Sequence, residues 1–519
     1  MNETIKKLLS KGLALHRRGD FKQAEAVYCE VLVHDSSQTD ALYLLGMLAL
    51  QRADNGGAVD FISRAVQGNC TIPEYRANLA IALQNLGRDE ECVVHCREAL
   101  ALRPDQFSVF NTLGNALMAL GKRDEAVECF QKATTLNPDS GEINYNLANA
   151  LRISGRLEEA ARIYRVVIKL QPDHAVALYN LGNVQRKLSQ HINARDSYLS
   201  ALALRPDYAD AMCGLADMLH KLEEYDEAEK YYRTVISMKP DIASAYNGLG
   251  NTLRLLGKMN EALDSYRKAL VVQPEFPEFY CNISNVLFDM GLIDEAIESC
   301  ERAVAIRHDF PEAHWNMGPP LLAKGDFAMG WPKYEYRFLI KDAAVTSFLS
   351  PDWDGSSLKG KTLLVYAEQG VGDEIMFASC LTEVINAAAT CIVECDARLV
   401  PLFARSFPKA FMIVRGRGAS QYPKELPTPD FKIAIGSLPR FFRSSFERFS
   451  QQQQYLTADP SAVSRWKKRF NLLGTGLKIG ISWRGGKVAV VRRTRSTTLD
   501  QWRELLSMHD VCFINLQYG

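Results

Sequence analysis

The chain has 519 residues, 47% of them hydrophobic and 24% charged, and its 61 basic side chains balance 61 acidic ones. That composition excludes a disordered or fibrous protein, and the length exceeds what one ordinary hydrophobic core supports. The neutral total hides a division: from Gly355 onward there are 23 Lys+Arg against 13 Asp+Glu, which leaves 38 against 48 before it.

The first 340 residues repeat on themselves. Pro104, Pro138, Pro172, Pro206, Pro240 and Pro274 are 34 residues apart, and a small residue recurs at Gly46, Ala80, Gly114, Ala148, Gly182, Ala216 and Gly250. A turn series follows the same grid (Gly19, Gly87, Gly121, Gly155, Gly257, Gly291, Gly325), as does an alanine series from Ala24 to Ala296. Self-similarity at this period predicts stacked helical hairpins, with a buried stripe such as Phe110, Leu113, Ala116 and Leu117 on each first helix. Glycine ends the first helix of a unit and proline stops the second. The pattern gives nine units plus a degenerate tenth over residues 5–340, an α-solenoid.

These units resemble tetratricopeptide repeats, the departures being Ser36, Cys70 and His308 where proline is expected. Two asparagine series add a chemical signal. One lies two residues before the small position (Asn78, Asn146, Asn180, Asn282, Asn316), the other one residue after it (Asn115, Asn149, Asn183, Asn251, Asn285). Three residues apart, they share a helix face. Amides both donate and accept, so a ladder of them suits the backbone of an extended peptide; it equally suits bonds between neighbouring helices.

Residues 341–360 read as a linker, rich in Pro, Asp, Gly and Ser. Strands are expected at 361–369, 391–396, 411–416 and 431–436, with helices from Asp373 and over 398–407. Alternation of this kind predicts a parallel sheet covered on both faces, here a first Rossmann-like domain over 361–450. The run Gln451 to Gln454 opens a hinge and a second, incomplete domain over 451–519, with a helix at 461–470, strands at 477–483 and 511–517, and a helix at 499–507 between them. An open sheet edge at this point reads as a truncation.

Gly370-Val371-Gly372-Asp373 follows the first of these strands. Glycines there let a ligand approach the backbone, and Glu368 or Asp373 could serve as a general base; a tight turn with Asp373 capping the helix is the other reading. Arg484, Lys487, Arg493, Arg495 and Ser496 lie in the loop after the 477–483 strand, a cationic set that suits a pyrophosphate as well as a solvated basic run.

The stretches WDGSSLKGKTLLVYAEQGVGDEIMFASCL (353–381) and IGISWRGG (479–486), with the junction GDFAMGWPKYEYRF (325–338), are similar to family-9-like glycosyltransferases, the group of the heptosyltransferases. That resemblance implies two Rossmann-like domains of the GT-B type and inverting, metal-independent transfer from a nucleotide-diphosphate sugar to a protein or glycan. Asp373 would be the catalytic base, with Gly370, Gly372 and the cationic loop on the donor. The family's later Asp-x-x-x-His segment has no counterpart before Gly519. The alternative is a non-catalytic scaffold that binds peptide segments and carries a remnant of the enzyme. A resemblance to the peptide O-linked N-acetylglucosamine transferases rests on the repeats and the asparagines alone.

The twelve cysteines are scattered, the nearest pairs being Cys92/Cys96 and Cys391/Cys395, so neither a disulfide framework nor a metal site is expected. The start has no signal-peptide layout and the apolar run at 41–50 is too short to span a bilayer, which predicts a soluble, cytoplasmic protein. No cofactor is expected beyond the nucleotide-sugar substrate. Nucleic acid is not expected, because the array is acidic and the basic surplus lacks interleaved aromatics.

Overall fold

The computed structural model describes residues 3–340, 348–416, 422–423, 425–449, 454–482, 496–509 and 511–516. It divides into two units, 1–238 and 239–519, each considered by itself.

The first unit is seven helical hairpins, from Glu3–Arg17 to Tyr225–Met238. Their regularity has a physical origin in one position of the repeat. Tyr28, Ile62, Cys96, Phe130, Tyr164, Tyr198 and Tyr232 stand 34 residues apart on the second helices and are all buried. The small position of the first helix lies against them: a Cβ built on Gly182 would come within 2.7 Å of the Tyr198 ring. Small and large residues thus interlock hairpin by hairpin, and burial of this ladder, rather than helix propensity, holds the stack.

The turn between helices needs a left-handed residue in every unit. Gly19, Gly87, Gly121 and Gly155 supply it at φ 69 to 82°, and Ala53, Ser189 and Glu223 adopt it at 59, 57 and 66°. Those three non-glycine positions are the gaps in the glycine series of the sequence, and the backbone keeps its period through them.

The second unit begins with hairpins of the same kind and closes them with Pro311–Lys324, Phe327–Tyr334 and a 3-10 turn at Glu335–Phe338. Beyond it, strands β1 (Thr362–Tyr366), β2 (Thr390–Cys395), β3 (Phe411–Val414) and β4 (Phe431–Ala434) form one sheet in the order β3-β2-β1-β4. Every pairing is parallel; Leu364 lies opposite Ile392 on one side and Lys432 on the other. β1 is buried along its whole length, as expected of a central parallel strand covered on both faces. Part of the expected linker is packed against this sheet: Asp352 bridges Lys432, Trp353 N–H donates to the Lys432 carbonyl at 2.8 Å, and Phe348, Trp353 and Leu358 are buried.

A second, small parallel sheet pairs β5 (Leu477–Ile481) with β6 (Val511–Asn515). The helix Pro460–Asn471 precedes it and has no buried residue. All six expected strands therefore form, each end within three residues of its expected place. Together they make a four-stranded and a two-stranded parallel sheet.

Candidate functional site

Two places carry the chemistry singled out in the sequence: the asparagine face of the first helices, and the loop after β1.

On the first-helix face the two asparagine series do different work. Members of the leading series tie each first helix to the one before it. Asn78 Nδ2 donates to the Tyr43 hydroxyl at 2.7 Å, Asn146 to Asn111 Oδ1 at 3.0 Å, Asn180 to the Tyr145 hydroxyl at 3.1 Å, and Asn282 to Asn247 Oδ1 at 2.8 Å. Members of the trailing series accept from the buried tyrosine of their own hairpin. Tyr164 donates to Asn149 Oδ1 at 2.6 Å, Tyr198 to Asn183 at 2.8 Å and Tyr266 to Asn251 at 2.8 Å.

Two rungs of the trailing series are exceptions. Where the tyrosine is replaced by Phe130 or Cys300, Asn115 and Asn285 have no hydroxyl to accept from, and neither makes a side-chain hydrogen bond among the described residues. Bonds between neighbouring helices therefore occupy most of the ladder, and Asn115 and Asn285 keep their amides unused.

Asp217 occupies the trailing position between Asn183 and Asn251, and the sequence reading missed it although it falls on the same grid. It accepts from the Tyr232 hydroxyl at 2.6 Å and lies 3.4 Å from Arg186. Burial raises its carboxyl above the ordinary range, while Tyr232 and Arg186 pull it down.

The second place is built at the carboxyl ends of the strands. β1 runs out through Glu368, Gln369 and Gly370 into the helix Val371–Phe377. Gly370 has an ordinary φ of −83°, and a Cβ on Gly372 would meet nothing within 4 Å, so the fold does not demand glycine at either position. Asp373, half-buried, reaches back to accept the Gly370 N–H at 3.1 Å. That is the capping role which the sequence left open for it, taken here from the third helical position.

Glu368 is placed differently from the sequence expectation. Its side chain is 5% exposed and paired with Arg337, Nη2 to Oε1 at 3.0 Å. Burial pushes its carboxyl up and Arg337 pulls it down. A carboxylate sealed behind a guanidinium cannot reach an acceptor hydroxyl, so of the two candidate bases only Asp373 faces solvent.

Arg337 itself was not singled out in the sequence. It donates to the Tyr334 carbonyl at 3.1 Å, to Glu335 Oε1 at 2.7 Å and to Ser437 Oγ at 2.8 Å besides Glu368. Gln369 Nε2 donates to the Tyr334 hydroxyl at 2.5 Å, and Arg415 Nη1 donates to the Gln369 carbonyl. Glu374 is buried beneath the loop, accepting the Asp396 N–H at 2.8 Å, with Arg415 at 3.6 Å; burial raises its carboxyl too.

Of the expected donor residues, Arg484, Lys487, Arg493 and Arg495 lie outside the described residues. Ser496 is described and half-buried, just before the turn Leu499–Trp502. Among the described residues no group of three His, Cys, Asp or Glu could hold a metal ion, and no helix is long and apolar enough to cross a membrane.

Known proteins agree with the array. Residues 9–70, 111–175, 173–241 and 277–309 match tetratricopeptide-repeat family models, and 250–291 match a TPR repeat model. Tetratricopeptide repeats thus run across residues 9–309 of this chain. Protein FlbA of Caulobacter vibrioides is 34% identical over 212 residues, which is 38% of this chain and 36% of FlbA. The chain therefore spans about a third of that relative's length. Among solved structures, YrrB, described as a TPR protein with an unusual peptide-binding site, is 25% identical with a TM-score of 0.33, over 38% of this chain and 98% of that one. The Cut9-Hcn1 hetero-tetramer of APC/C is 16% identical with a TM-score of 0.37, over 58% and 59%.

Proposed function

We propose that the repeats bind an extended protein segment along their first-helix face, and that the α/β region is the acceptor-side domain of a glycosyltransferase using a nucleotide-diphosphate sugar. The observation that carries this reading is the strand order β3-β2-β1-β4. Chain order reverses between β1 and β4, and open parallel sheets receive ligands outside the carboxyl ends of the strands at such a point. The 368–373 loop and the turn Ile435–Ser437 both stand there. Asp373 is the base on the acceptor hydroxyl, exchanging its cap bond to Gly370 for that contact. Arg484, Lys487, Arg493, Arg495 and Ser496 hold the donor diphosphate, and Asn115 in the first unit and Asn285 in the second each offer an unused amide to a segment bound along that unit.

The capping bond of Asp373 and the sealing of Glu368 favour a second reading, a peptide-binding scaffold with an inactive α/β domain. Calorimetric titration of a panel of nucleoside diphosphates and nucleotide sugars separates the two. The transferase reading expects binding that Arg495→Ala weakens at least tenfold; a folded chain that binds no nucleotide leaves the scaffold.

A further inference from the structure

The carboxyl ends of β1 and β4 are met by a residue from the array. Arg337 belongs to the 3-10 turn Glu335–Phe338 that closes the last hairpin, yet its side chain lies between Glu368, after β1, and Ser437, after β4. It is 9% exposed, and its guanidinium rests on the rings of Tyr334 (4.6 Å) and Phe338 (4.1 Å). Glu335 accepts from both Arg337 and Ser437, at 2.7 and 2.8 Å. The sheet makes room for this arrangement: a Cβ on Gly436 would come within 2.6 Å of Glu368 Oε1 and 3.3 Å of Arg337 Nη2. Tyr334, from the same hairpin, takes the hydrogen bond of Gln369.

We infer that Arg337 is a positioning residue of the α/β site, fixing the 368–373 loop by neutralising Glu368 in place, so that the last hairpin of the array is a working part of the domain it precedes. The inference rests on the reading of Asp373 as the acceptor-side base. The plain alternative is a junction ion pair that merely adds stability. A buried ion pair is a poor source of net stability compared with apolar packing of the same volume, whereas removing one partner is costly. A guanidinium with four acceptors and a glycine kept free for it is better explained by a need for one fixed geometry. Buried Glu368 Oε2 and Arg337 Nε have no partner, so the pair is held by a single hydrogen bond, Nη2 to Oε1.

Around Glu368 the other titratable groups are Glu335, Tyr334, Tyr366 and Glu374, with Arg337 the cation in contact with it. Without Arg337, Glu368 would be left buried with no cation in contact with it, and it would take up a proton. The loop of an Arg337→Met chain is then ordered at low pH and loosens as pH rises through the higher carboxyl pKa.

The test uses the full chain as wild type, Arg337→Met, Glu368→Gln and the double variant. Protection of the Gly370 and Glu374 amides against hydrogen exchange is measured from acid to neutral pH. Arg337→Met is expected to lose about tenfold or more of that protection at neutral pH and much less in acid. The double variant, in which position 368 carries no charge to compensate, is expected to regain it at every pH. A loop unchanged in Arg337→Met overturns the inference, and so does one loosened equally at all pH values and not recovered in the double variant. If Arg337→Met does not fold, a folded double variant supports charge compensation and an unfolded one refutes it. Where donor turnover is measurable, kcat falls in Arg337→Met at unchanged donor KM. A wild type without turnover counts against the transferase reading alone, because the exchange result stands apart from it.

Discussion

Replacing Asn183 and Asn115 by alanine separates the two kinds of rung in the ladder. The Tyr198 ring is fully buried and its hydroxyl donates to Asn183 Oδ1 at 2.8 Å. Asn183→Ala removes the acceptor and strands that hydroxyl, at a cost of about 1–3 kcal/mol; the partial exposure of the hydroxyl end favours the lower figure. Tyr198→Phe in addition removes the stranded donor, so the double variant costs less than the sum of the two single ones. At the position fifteen residues after Asn115 stands Phe130, which has no hydroxyl to strand, and Asn115→Ala falls within about 0.5 kcal/mol of wild type. Urea unfolding followed by far-ultraviolet circular dichroism, at constant slope, reads the wild type and the four variants. Equal destabilisation by Asn183→Ala and Asn115→Ala, or strict additivity with Tyr198→Phe, would refute the division of the ladder.

Further outcomes follow from single positions. Ser189→Gly and Glu223→Gly relieve left-handed residues at φ 57 and 66° and should each stabilise the array by about 1 kcal/mol, whereas Gly155→Ala, at φ 78°, should cost a similar amount; thermal melting checks the sign. Burial raises the carboxyls of Glu368, Glu374 and Glu394 above their ordinary 4.5. Their contribution is fully present below that pH and is lost as pH rises through the raised values, so unfolding of the α/β domain should become easier over that window. Glu374→Gln keeps an acceptor for the Asp396 N–H and should flatten the slope; a pH profile unchanged by it contradicts the assignment.

Repetition made the array legible. Four residue classes in phase over many units leave few alternatives, and even the gaps at Ala53, Ser189 and Glu223 keep the expected backbone. The strands were legible because β1 to β4 are short apolar runs bounded by turn residues, the pattern of strands buried on both faces. What the residues do was harder to see. An asparagine reads the same whether its amide meets Tyr198 or a ligand; only the residue fifteen positions later tells them apart. That comparison of Tyr164, Tyr198 and Tyr266 with Phe130 and Cys300 was present in the sequence unread. The Arg337–Glu368 pair joins residues 31 apart across a domain junction, and no local pattern marks it. Treating residues 325–338 as a passage out of the array hid the fact that Trp331, Tyr334 and Arg337 pack on the sheet; Trp331 Nε1 donates to the Arg443 carbonyl at 2.8 Å.

The most direct test of the transferase account is release of nucleoside diphosphate from a panel of nucleotide sugars by the chain and by Asp373→Asn, which removes the charge and keeps a side chain able to cap the helix. The account predicts turnover of one donor by the wild type and its loss, about a hundredfold or more, in the variant. Release of no diphosphate from any donor, or turnover untouched by Asp373→Asn, would contradict it.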